Sequence, residues 1–138
     1  MNYNYKKYLF LILNTIVPLI SGLAIYIFMK SGTFINTLSG VDFHYIPKTV
    51  LGLFIVNWFC DSLWAYALVF ALYIVLSPFK SKLLFSCVIS VLLGLILEIL
   101  QGVNILSGTF DWWDIIIEIV AVIIAMSIIN KTNKKDDS

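Results

Sequence analysis

Near the C-terminal end, Glu98, Gln101, Asp111, Asp114 and Glu118 stand in and between two strongly apolar stretches. A carboxylate near the bilayer centre costs from about 2.5 to above 10 kcal/mol unless it is protonated, paired or hydrated, so such residues mark a site. Three uses suit acids of this kind: a proton relay or cation-coupling site in transport, a hard-oxygen site for a divalent cation, and acid/base catalysis on a substrate entering from outside. The plainer alternative is neutral carboxyl groups acting as hydrogen-bonding glue between helices, worth about 0.6–2 kcal/mol apiece.

The elements that position these residues must be membrane helices. The 138 residues are 61% hydrophobic and 12% charged, and a mean hydropathy of +0.98 describes a chain whose solvent is lipid. The expected fold class is all-α, a polytopic membrane protein with four transmembrane helices in a single domain over residues 1–138. The formal charge is +1 and every basic residue is lysine. Without a clustered basic face or an arginine fork, nucleic acid is excluded as a partner and membrane lipid is the expected one.

The spacing predicts spans over residues 8–29, 61–77, 82–101 and 113–130. A cleavable leader is the rival reading of the first, but no small-x-small site follows residue 29. Pro18 should kink that span, with neighbouring helices or Asn14 re-satisfying the freed backbone groups. The apolar run over residues 50–76 would reach about 40 Å as one helix, against a hydrocarbon core of roughly 30 Å. A split is therefore expected. Residues 49–59 form an interfacial or re-entrant helix before the second span, which begins near Asp61 and puts Asn57, Trp58, Asp61 and Trp64 at headgroup depth. Residues 30–48 read as a loop holding His44, an ordinary surface histidine, and residues 131–138 as a mobile polar tail.

With the N-terminus in the cytoplasm, Lys6, Lys7, Lys80, Lys82, Lys131, Lys134 and Lys135 fall inside and only Lys30 and Lys48 outside. That asymmetry fits the positive-inside rule, gives both termini a cytoplasmic position, and places Asp61 and the other acids toward the outer leaflet. Trp112 and Trp113 read as an interfacial belt. Cys60 and Cys87 lie too far apart for a disulfide and read as buried thiols, with no Cys/His metal spacing. No cofactor motif occurs.

Helical spacing organises the acids. Ser86, Ser90, Gly94 and Glu98 follow an i, i+4 interval on the third span, and Asp114, Glu118, Ala121 and Ala125 share a stripe on the fourth. Small residues on a membrane helix mark close approach of another helix, so the two spans should pair as an antiparallel hairpin with Glu98 level with residues 114–118. Asp111 falls in the connecting loop. Glu98, Gln101, Asp111, Asp114, Glu118 and Asp61 are thus the candidate residues for binding a cation or another ligand around one outward-facing pocket.

Glu98-Ile99-Leu100-Gln101, a short glycine-bearing loop, and Asp114 with a polar residue four positions later together resemble the VanZ-like family of small bacterial membrane proteins. In the family pattern an E-x-x-Q ends one span, a basic residue lies in the loop and a D-x-x-x-N opens the next span. Here Glu118 stands where asparagine is usual, and Thr109 falls where the base is expected. The resemblance implies a four-span layout and a cell-envelope role bearing on glycopeptide (teicoplanin) susceptibility. It implies no reaction. The readings carried forward are an envelope protein binding a cation or envelope ligand, a small proton- or cation-coupled transporter working as a homo-oligomer, and an enzyme acting on a lipid-linked envelope precursor.

Overall fold

A computed structural model describes residues 2–29, 49–106 and 110–134. The expected loop with His44, the basic-residue position at Thr109 and the last four residues lie outside the described residues. The helices are α1 (Asn2–Met29), α2 (Val50–Phe54), α3 (Cys60–Val75), α4 (Lys82–Gly102) and α5 (Trp112–Lys134), with a π-helical turn, Ile55–Phe59, joining α2 to α3. Three of them, α1, α4 and α5, are long and apolar enough to cross a membrane, and α3 is a shorter apolar helix.

The run over residues 50–75 differs from the expected split. Thr49 caps α2 by accepting from the Gly52 N–H at 3.1 Å, and the junction residues Phe54, Ile55, Phe59 and Cys60 all keep right-handed helical backbone angles. No loop separates a surface helix from a span. The π turn takes up the extra residue instead, which hydropathy alone does not reveal. At the other end α3 stops at Val75 because Pro78 lacks an N–H and disfavours helical backbone at residue 77. Turn bonds from Ser77 N to the Ile74 carbonyl and from Phe79 N to the Leu76 carbonyl carry the chain round to α4.

Two helices run past their apolar stretches. Helix α1 begins at Asn2, and α5 continues through Lys134, so residues 131–134 of the expected polar tail are helical. The polar ends lose nothing by staying helical in water, since the apolar stretch has already nucleated the helix.

Helix α3 is central, packing against α1, α4 and α5, while α4 also packs against α5. Its Val69, Phe70 and Tyr73 meet Leu11, Cys87, Ala121, Ala125 and Ile129 in the buried core. In lipid, apolar burial gives helices no hydrophobic drive to associate, so close packing and interhelical hydrogen bonds must hold the bundle. The α1–α3 contact uses both. Tyr66 donates to Asn14 Oδ1 at 2.6 Å, the Cys60 thiol donates to the Gly22 carbonyl at 3.2 Å, and the Trp64 indole lies where a Cβ at Gly22 would be. The Asn14 amide donates to the Phe10 carbonyl, so this side chain ties α1 to α3 and does not serve the backbone freed by Pro18. Both cysteines are buried thiols, not joined in a disulfide.

At the far end of the bundle Tyr73 donates to Asn133 Oδ1 at 3.1 Å, and the Lys82 ammonium sits 4.4 Å from the Tyr73 ring centroid. These contacts bring the end of α3, the start of α4 and the end of α5 together. Phe10 packs on Phe70, which sets the start of α1 at the same end. The described lysines thus gather at one end of the bundle and the described carboxylates toward the other.

Candidate functional site

Helix α4 is stopped by a left-handed residue. Asn104 has φ 59°, its N–H bonds the Gln101 carbonyl at 3.0 Å, and the Ile105 N–H reaches back to the Leu100 carbonyl at 2.9 Å. This is a Schellman cap with asparagine in the position glycine usually takes. Helix α5 is started by Asp111, whose Oδ1 accepts from the Trp113 N–H at 2.9 Å. Asp114 follows three residues after that cap, in the first turn, where the helix dipole favours an acid.

Glu98 joins the two ends. It is 5% exposed, and its Oε2 accepts from the Asp111 backbone N–H at 3.1 Å. The stripe that leads to it is a buried face: Ser86, Ser90, Gly94 and Glu98 are all buried on α4, as Ala121 and Ala125 are on α5. Asp111 is therefore a half-buried helix cap, not an exposed loop acid. Glu98 bonds the residue just before α5, and Gly94, one turn back on α4, faces Glu118.

Glu118 lies one turn deeper. Its carboxylate occupies the space a Cβ at Gly94 would need, so a side chain at 94 and this carboxylate could not coexist without movement. It is half-buried, and the neighbouring charges acting on it are those of Asp61, Glu98 and Asp114. Four acids from three helices therefore converge. They do so without forming an inner-sphere metal site: among the described residues no group of three or more His, Cys, Asp or Glu side chains is arranged to hold a metal ion.

The candidates separate by position. Glu118 and Asp61 line a cleft of about 260 Å³ together with Ser90, Gly94, Trp64 and Thr15. Glu98, Asp111 and Asp114 cluster at the α5 N-terminus behind it, and Gln101, half-buried in the last turn of α4, lies outside it. Sequence reasoning treated Ser90 as packing only. Its signal was present, since it stands two turns before Glu98 on the same stripe. Trp64 was read as an interfacial anchor.

Comparisons with known protein families, with curated proteins and with solved structures give no match. What fold and site define is the class: a polytopic, all-α protein of the membrane, with its acids gathered inside one end of a helical bundle.

Proposed function

We propose that this chain is a cell-envelope protein of the bacterial cytoplasmic membrane whose acidic niche, on the side away from the cytoplasm, binds a ligand carrying positive charge or many hydroxyl groups. The observation that carries the reading is the Glu118 carboxylate, which lies against Gly94 within the fields of Asp61, Glu98 and Asp114. Carboxyl groups gathered this closely disfavour one another's charge, and a bound cation or hydrogen-bond donor relieves that repulsion. The dearth of metal-holding geometry among the described residues favours an organic cation or a hydrogen-bond donor over a dehydrated metal ion.

Four crossings follow if α2, the π turn and α3 act as one span. The sixteen residues of α3 rise about 24 Å, short of a hydrocarbon core of roughly 30 Å, and the helical turns before them supply the rest. The lysine-bearing end then faces the cytoplasm by the positive-inside rule. The Glu98, Gln101 and Asp114 pattern, which resembles that of VanZ-like proteins, supports the envelope role and, with it, an influence on glycopeptide susceptibility.

Thermal unfolding of the purified protein against divalent cations, organic amines and envelope lipids tests the reading, in wild type and Glu118→Gln. A bound ligand at about one hundred times its Kd adds roughly 2.7 kcal/mol of stability. Stabilisation of the wild type that Glu118→Gln abolishes is expected. Equal response of both proteins to every compound would remove the niche as a binding site.

A further inference from the structure

The cleft that Glu118 and Asp61 enter is mostly apolar. Leu19 of α1 and Leu93 and Leu97 of α4 line it and are exposed, so it opens on the flank of the bundle between these two helices. Its floor is α3, where Ala67 and Ala71 leave the room. With α1 and α4 crossing the bilayer as their length and apolar character allow, the flank between them faces acyl chains, not water. The volume, about 260 Å³, lies just under the roughly 300 Å³ at which drug-sized ligand sites begin. One alkyl chain fits such a space; a two-chain lipid does not.

A separate feature points to a ligand's head. Ser90 is 3% exposed, lines the cleft, and its Oγ has no hydrogen-bond partner among the described residues. A buried hydroxyl left without a partner costs free energy that a bound polar group can recover. It shares the cleft with two carboxylates. A primary ammonium carries three N–H donors, and Glu118, Asp61 and Ser90 offer three acceptors.

We propose that the cleft holds a single-chain alkyl amine taken sideways from the bilayer, its ammonium against Glu118 and Asp61 and donating to Ser90 Oγ, its tail between Leu19 and Leu97 over Ala67 and Ala71. This names the ligand class for the niche described above and rests on that reading. Selectivity resides in the head. A tail moving from lipid into an apolar cleft gains little, because acyl chains are as apolar as leucine. A fatty acid of equal length would bring a further carboxyl group to repel these two, and a fatty alcohol would bring no positive charge.

Native mass spectrometry of the detergent-purified protein with dodecylamine, dodecanol, dodecanoate and ethylamine tests it. One dodecylamine retained per chain, weakened roughly tenfold or more by Glu118→Gln and by Ser90→Ala, is expected, with the alcohol and the carboxylate held no better than in those variants. Ala71→Phe, which fills the floor, should expel the amine. If that variant does not fold, quenching of Trp64 fluorescence by a chain-brominated dodecylamine, with Trp58, Trp112 and Trp113 replaced by Phe, reads the same contact. Equal retention of all three twelve-carbon compounds, or absent quenching of Trp64, overturns the proposal. If ethylamine binds as tightly as dodecylamine, depends on Glu118 and is indifferent to Ala71→Phe, the niche binds cations but the cleft holds no tail. If no amine binds at all, both readings fall.

Discussion

Glu98 Oε2 accepts a 3.1 Å hydrogen bond from the backbone N–H of Asp111, so a buried acid on one helix fastens the cap residue of the next. That bond gives Glu98 a structural duty whatever the niche binds. Glu98→Gln keeps an acceptor in place and should change stability by less than about 1 kcal/mol, whereas Glu98→Ala strands the N–H and opens a void, costing about 1–3 kcal/mol. Denaturation in mild detergent compares the two. Equal losses would mean the bond contributes nothing.

Asp111 was a candidate ligand by sequence, and the structure makes it the cap of α5. Asp111→Ala should cost about 0.5–2 kcal/mol, and Asp111→Asn should restore most of it, because asparagine caps as well as aspartate. Ligand-dependent stabilisation should survive Asp111→Asn. Its loss there would return Asp111 to the binding residues.

Asn104 offers an independent check on the hairpin. With φ 59°, Asn104→Gly should be neutral or slightly stabilising, and Asn104→Ala should destabilise by up to about 1 kcal/mol, because alanine lacks the short polar side chain that lets asparagine tolerate the left-handed region. Thermal unfolding of both variants decides it; a harmless alanine would show that the chain reverses at some other residue.

Gly94 separates packing from binding. A Cβ there collides with the Glu118 carboxylate, but that carboxylate is the free end of a flexible side chain, and alanine favours helix over glycine by up to about 1 kcal/mol. Gly94→Ala should therefore leave the unfolding temperature within a few degrees while displacing Glu118 and removing the response to amines. A variant that keeps full amine binding would mean Glu118 does not act from this position.

Much of this was legible in the residues. The Ser86, Ser90, Gly94 and Glu98 stripe foretold a buried face because four-residue spacing on a helix is a geometric certainty once the helix exists. Apolar length foretold α1, α4 and α5, and the pairing of α4 with α5 followed from their short connection. The rest depends on features that carry little local signal. The cap of α4 is closed by Asn104 in the left-handed position, which hydropathy does not mark. Asp111 looked like a loop acid because a cap is defined by the N–H groups it meets, which belong to a helix whose start hydropathy fixes only to within a few residues. The π turn keeps residues 50–75 helical where length arithmetic argued for a break. The cleft arises from how α1 and α4 flank α3, which is tertiary geometry, and Ala67, Ala71 and Ser90 acquire meaning only there.

The convergence of Glu98 and Glu118 is the claim on which the functional account depends, and a double-mutant cycle on folding stability reads it without a ligand. Glu98→Gln, Glu118→Gln and the double variant should show a coupling of about 0.5–3 kcal/mol, as expected of residues in one network. Additivity to within about 0.3–0.5 kcal/mol, the behaviour of distant sites, would contradict it.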